Sequence, residues 1–124
     1  MAYDGKIQLA FIIIAPPDQV EEGERIFRSH APWMGAAHHR DGDKALLTYN
    51  VSKAPELSNP MDPNSAPTGN TCYILNEIYE SEAGIADHFQ KAMEGWQDFP
   101  AFVTWMGKCK VTVVPSAPIF TSLW

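Results

Sequence analysis

Glu77, Tyr79 and His88 are the residues of this 124-residue sequence whose types and spacing could do chemistry. They lie in the stretch Asn70–Met93, NTCYILNEIYESEAGIADHFQKAM, which reads as a strand running straight into an amphipathic helix. A pocket histidine titrates near ~6.5 and can act as base or proton shuttle. A carboxyl on a central strand is desolvated, and desolvation raises its pKa toward that of a working base. Each residue also has a purely structural role open to it. His88, on the buried stripe of its helix, can be a hydrogen-bonded core histidine tying helix to strand, with Glu77 as its partner. Glu77 shares a strand face with Tyr73, Leu75 and Tyr79. A buried Glu is seldom left without a partner, so it can equally meet a cation at a subunit interface.

A second tier of candidates surrounds these. Asn50 and Asn76 stand mid-strand, where amides are depleted. Facing a cavity, they would orient a substrate carbonyl or an oxyanion; otherwise they make cross-strand hydrogen bonds. Trp33, Trp96 and Trp105 are core residues or the flat walls of a site for a planar ligand. His38-His39, with His30, raises the question of a metal. Adjacent residues on an extended chain point opposite ways, and no HxH or HxxxH spacing occurs, so no metal and no cofactor is expected. His38 or His39 at a pocket mouth is the alternative. Nucleophile elbow, P-loop, dinucleotide fingerprint and zinc motif are all absent from the sequence.

Composition narrows the partners. The formal net charge is -6 and the nine basic residues are scattered, whereas nucleic-acid binding needs a basic stripe. No apolar run reaches the ~20 residues of a membrane helix. The run Leu9–Ala15 lacks the cationic leader and cleavage site of a signal peptide, so a cytoplasmic location is expected. Cys72 and Cys109 do not form a CxxC pair and are read as free thiols.

The elements that must position these residues follow from periodicity. Lys6–Ala15 is a strand apolar on both faces, which requires cover on both, and a partner subunit is the natural second cover. Asp18–His30 is a helix, with Glu21 in the capping-box position and Pro32 as its stop. Ala36–Arg40 is read as an optional short strand leading to the turn Asp41-Gly42-Asp43. Lys44–Lys53 is the second strand. Ala54–Gly69, with four prolines, is a long loop: a lid, an arm on a partner, or plain surface. Thr71–Glu80 is the third strand, Ser81 caps a helix to about Glu94, and a short helix follows Pro100. Lys108–Val114 is the last strand, ended by Pro115. The apolar tail SAPIFTSLW is expected to pair as an edge strand or to pack on a neighbouring subunit. The whole is one α+β domain over residues 1–124 with the ferredoxin-like order β-α-β-β-α-β and an antiparallel four-stranded sheet. Its first and third strands are central, and the fourth flanks the first.

The run Glu77–His88, E-I-Y-E-S-E-A-G-I-A-D-H, resembles the strand-to-helix signature of the antibiotic biosynthesis monooxygenase superfamily. That resemblance implies a dimeric α+β barrel with a small-molecule pocket between each sheet and its helices. It carries over Glu77, Tyr79 and His88. Some members oxygenate aromatic polyketides or quinols without metal or flavin; others degrade haem, isomerise lactones or have no assigned activity. The expectation is therefore a homodimeric enzyme, a cofactor-independent monooxygenase or a related isomerase or cyclase, acting on a small aromatic molecule. His88 would move the proton, Glu77 would orient it, and Asn76, Tyr79 and Trp96 would shape the pocket. The alternatives are a non-catalytic small-ligand-binding dimer and a structural dimer with a filled core.

Overall fold

A computed structural model of the chain describes residues 2–124. It contains β1 (Ile7–Ala15), a 3-10 turn at Pro17–Gln19, α1 (Val20–Ala37), β2 (Leu46–Leu57), β3 (Pro67–Tyr79), α2 (Glu82–Gly95), α3 (Phe99–Met106) and β4 (Lys110–Pro118). The strands form one antiparallel sheet in the order β2-β3-β1-β4. This is the ferredoxin-like α+β arrangement expected from the element order, with β1 and β3 in the centre.

Period-2 alternation decides what each strand contributes to each face. Along β1, Ile7, Leu9, Phe11, Ile13 and Ala15 are buried beneath the helices. Register places Leu9 opposite Glu77, Phe11 opposite Leu75 and Ile13 opposite Tyr73, so these share the helix-side face. The other face carries Ala10, Ile12 and Ile14 of β1 beside Ile74 and Asn76 of β3. Among the described residues no helix covers that face, and Ile12 and Ile74 remain 42% and 43% exposed.

The helices bury narrow stripes. In α1 these are Gly23, Ile26, Phe27, His30 and Met34. In α2 they are Gly84, Ile85, His88 and Ala92. The Ser81 side chain accepts from the Ala83 amide at 3.2 Å, the N-cap expected of it. Phe102 and Trp105 anchor α3. A Cβ on Gly23 would lie 2.3 Å from the Trp105 indole, so α1 and α3 approach as closely as they do only because position 23 has no side chain.

Several boundaries differ from the sequence expectation. Pro32 does not stop α1, which runs on to Ala37. A proline inside a helix removes one backbone bond and costs about 3 kcal/mol. Burial of Met34 and packing of Trp33 on the core offset that cost. Ala36 and Ala37 are accordingly helical, and Ala36–Arg40 contributes no strand. The Asp18–Glu21 box is not made: the chain enters α1 through the 3-10 turn, with no side-chain cap. Part of the expected loop at 54–69 is strand, because β2 and β3 continue as a hairpin as far as Leu57 opposite Pro67 and leave only residues 58–66 as turn. Pro55 is tolerated since β2 is an edge strand, and Pro67 because it lies beyond the end of β1. The remaining turn is closed on itself: the Asn59 side chain accepts from the Met61 amide at 3.1 Å, and that of Asp62 from the Asn64 amide at 2.9 Å. Edge position also lets β4 run through Pro115 to Pro118. Ile119 then exchanges backbone bonds with Gly5 and Lys6, both at 2.8 Å, whereas Phe120, Leu123 and Trp124 are solvent-exposed. Cys72 and Cys109 are both free, as expected.

Candidate functional site

Three elements deliver side chains to one buried polar cluster beneath the helices. Glu77 comes from the helix-side face of β3, His88 from the buried stripe of α2, and His30 from that of α1. All three are buried, Glu77 completely. One donor atom from each lies within 4.8 Å of the other two. Tyr79, two residues along the same strand face, donates its hydroxyl to Glu77 Oε1 at 2.5 Å. Glu77 Oε2 is buried and has no hydrogen-bond partner.

The extra helical turns beyond Pro32 bring in His38. Lys91 of α2 donates to the Ala37 carbonyl at 2.8 Å and so fixes the end of α1. His38 Nδ1 lies 3.1 Å from the Met34 carbonyl. A carbonyl only accepts, so Nδ1 carries the proton and Nε2 is bare. The bare Nε2 lies 2.8 Å from His88 Nδ1, which must therefore donate. That fixes the His88 tautomer: its Nε2 is a lone pair, 3.8 Å from Glu77 Oε1. His30 Nδ1 pairs with the Tyr49 hydroxyl at 2.8 Å, a group that can donate or accept.

Burial governs the charge state. It pushes the Glu77 carboxyl up to about 7, against the opposing effect of the Tyr79 hydrogen bond. It pushes His88 down to about 3, helped by the neighbouring His38 and His30 rings. It pushes His30 down to about 4, with His38 adding to the effect. Tyr79 is raised by burial and then by the adjacent Glu77. Near neutral pH His88 is thus a neutral imidazole beside a carboxyl that is only partly ionised, and the two are not an ion pair.

The cluster opens on a small apolar pocket of about 190 Å³ between α2, α3 and the sheet. His30 and His88 line its polar end; Phe89, Trp96, Phe99 and Phe102 are among its walls. Trp96 is held by its indole N–H donating to Ser29 Oγ at 3.1 Å, and Ser29 in turn donates to Asp98 at 2.6 Å. A larger and more open groove of about 630 Å³ runs between α1 and the edge strand β2. Its rim is charged, with Lys53 bonded to Glu24 at 2.7 Å, and Glu77 and His88 are not among its lining residues.

Among the residues singled out by sequence, Glu77, Tyr79, His88, His38, Trp33 and Trp96 come together here. Trp33 stacks on Trp96 with ring centres 5.7 Å apart, and its edge meets His38 at 5.1 Å. Asn50 and Asn76 do not join them. They face each other across β2 and β3 on the open side of the sheet, where Asn76 accepts from Gln8 at 2.7 Å. His30 is the member that spacing did not reveal as a site residue, although a polar residue on the apolar stripe Ile26–Phe27–His30 was visible.

Sheet order, covering helices and helix-side pocket define a ferredoxin-like α+β protein with one uncovered sheet face. A crystal structure described as a dimeric ferredoxin-like protein, from an uncultured marine organism, is similar to this chain. The TM-score is 0.62 and the identity 12%, over 95% of this chain and 99% of that one. No family model matches the sequence, and no curated protein matches it.

Proposed function

We propose that the chain is a small-molecule enzyme that takes a compact, largely apolar ring compound into the pocket between α2, α3 and the sheet. Its polar chemistry then takes place at Glu77 and His88. The observation that carries this reading is the completely buried Glu77 carboxyl, with one oxygen unpartnered, within 4.8 Å of ring nitrogens of His30 and His88, the two histidines that line the aromatic-walled pocket. A group so placed is costly to the fold, and such costs concentrate at functional sites. A volume near 190 Å³ suits a single ring rather than a polycycle. The resemblance of the Glu77–His88 run to the antibiotic biosynthesis monooxygenase superfamily favours oxygenation of a phenol or quinol. The test is fluorescence titration and oxygen uptake with one-ring phenols and quinols, on wild type and His88→Ala, each checked for unchanged melting. Uptake in the wild type and a loss of about 100-fold or more in the variant is the expected result. Equal rates would remove His88 from the chemistry. Saturable binding with no uptake in either protein would leave a ligand-binding protein instead of an oxygenase.

The same proposal includes a homodimer formed through the uncovered sheet face, where Ile12, Ile74 and Val114 are each more than 40% exposed. The similar marine protein is dimeric by its description. In a two-fold interface every substitution acts twice. Ile12→Asp is therefore expected to convert the dimer to a 13.8 kDa monomer by light scattering. A wild-type chain that is already monomeric at high concentration would refute the dimer.

A further inference from the structure

The geometry points to a binding site for a single divalent first-row transition-metal ion, held by His30, Glu77 and His88. The inference deepens the proposed function, resting on the same cluster as the site but not on the reaction assigned to it.

Three observations support it. First, the donor set is two imidazoles and one carboxylate, drawn from α1, α2 and β3, with one atom of each within 4.8 Å of the others. Metal–ligand bonds of about 2.0–2.2 Å place neighbouring donors roughly 3–3.5 Å apart, so binding would draw the three side chains together by about 1–2 Å at most. Two nitrogens and one carboxylate suit iron(II), cobalt(II) or zinc rather than calcium or magnesium. Second, the Glu77 carboxyl is fully buried and Oε2 has no partner. A buried oxygen left unpaired is costly unless something else occupies its lone pairs. Third, the chain Met34 carbonyl–His38–His88 leaves a lone pair on His88 Nε2, facing Glu77 at 3.8 Å.

The surroundings also match what metal sites require around their ligands. A ligating histidine commonly donates its other ring N–H to a fixed acceptor, which sets its tautomer. His38 does this for His88, and the Tyr49 hydroxyl is placed to do it for His30. Tyr79 fixes the carboxyl through Oε1. Because His30 and His88 line the apolar pocket, the remaining coordination positions would be turned toward a bound ring compound.

The test uses the whole chain, stripped with chelator and dialysed, then titrated with cobalt(II) alone, followed by visible absorption, and with zinc alone by calorimetry. One equivalent per chain is expected, with a rise in melting temperature. Glu77→Gln keeps an acceptor for Tyr79 and should weaken binding by 100-fold or more, as should His30→Ala and His88→Ala. His38→Gln should weaken it by about 10–100-fold. His39→Ala removes an exposed histidine and should change nothing. Stoichiometric binding that survives Glu77→Gln, or that is lost in His39→Ala, would overturn the site, and so would the absence of binding to the stripped wild type. Phenol and quinol titrations of both the stripped and the cobalt-loaded protein separate the two proposals. Metal binding without ligand binding would sink the enzyme reading and leave the metal site standing, and the converse outcome would do the reverse.

Discussion

Trp105→Ala is expected to cost about 3–5 kcal/mol of stability, while the sign of Gly23→Ala should depend on whether Trp105 is present. Trp105 is 1% exposed, meets the edge of Phe27 with ring centres 5.6 Å apart, and donates its indole N–H to the Gln19 carbonyl at 2.8 Å. Its truncation empties the joint between α1 and α3. In the wild-type background, the methyl group of Gly23→Ala would lie within 2.3 Å of that indole, and overpacking of this kind costs about 1–3 kcal/mol. With the indole gone the clash disappears. Alanine then gains the ordinary helix preference over glycine, about 0.8–1 kcal/mol in a helix interior. The double variant should therefore be slightly more stable than Trp105→Ala alone. Urea unfolding of the four proteins, with comparable denaturant slopes, measures the cycle. Additive losses would show that Gly23 is not a spacer for Trp105. The joint matters to the site because Phe102, a wall of the pocket, sits between Trp105 and Trp96 in the same aromatic cluster.

The second large effect belongs to Glu77 and turns on what replaces it. In the metal-free protein, Glu77→Ala removes the acceptor of the buried Tyr79 hydroxyl and opens a cavity at a fully buried position. The two losses together should cost about 3–5 kcal/mol. Glu77→Gln retains an amide oxygen for Tyr79 and offers an N–H₂ toward the lone pair of His88. Its stability should stay within about 1 kcal/mol of wild type, or rise. Thermal unfolding at one pH compares them. Equal melting of the two variants would mean that Glu77 does not anchor Tyr79. The same comparison separates the structural contribution of this carboxyl from its chemical one, because the Gln variant is expected to remove the ionisable group while keeping the fold.

Much of this architecture was legible from local rules. The alternation of β1, the Ser81 cap and the stripe Ile85–His88–Ala92 follow from period and capping chemistry, and all three are present. Glu77 beside Tyr79 on one strand face was legible for the same reason. The expectation that Asn76 would shape the same pocket as Glu77 overlooked the same rule, since neighbours on a strand point opposite ways. What local rules could not supply was tertiary compensation. Pro32 carries a real penalty for helix, and only packing of Trp33 and Met34 overrides it. The prolines of β2 and β4 read as breaks although the expected strand order already put those strands at the edges, where proline is tolerated, and Pro67 of β3 lies beyond the end of β1. His30 was raised only beside His38 and His39 as a metal question and set aside there, because a three-element site leaves no spacing in any single stretch.

The helix beyond Pro32 has a consequence for the order of events in folding. Residues 33–37 form a segment whose helicity is conditional: the missing backbone bond removes its local support, and short helices are marginal in water without tertiary contacts. It winds once Trp33 and Met34 have found the core, so its formation reports closure of the hydrophobic layer and does not precede it. His38 follows directly upon that segment. The hydrogen bond that sets the tautomer of His88 is therefore expected to form late in folding and to be released early in sub-global opening, so the segment's amides should exchange ahead of those of the sheet. A partly unfolded chain that retains its sheet is expected to have lost the geometry of this cluster already.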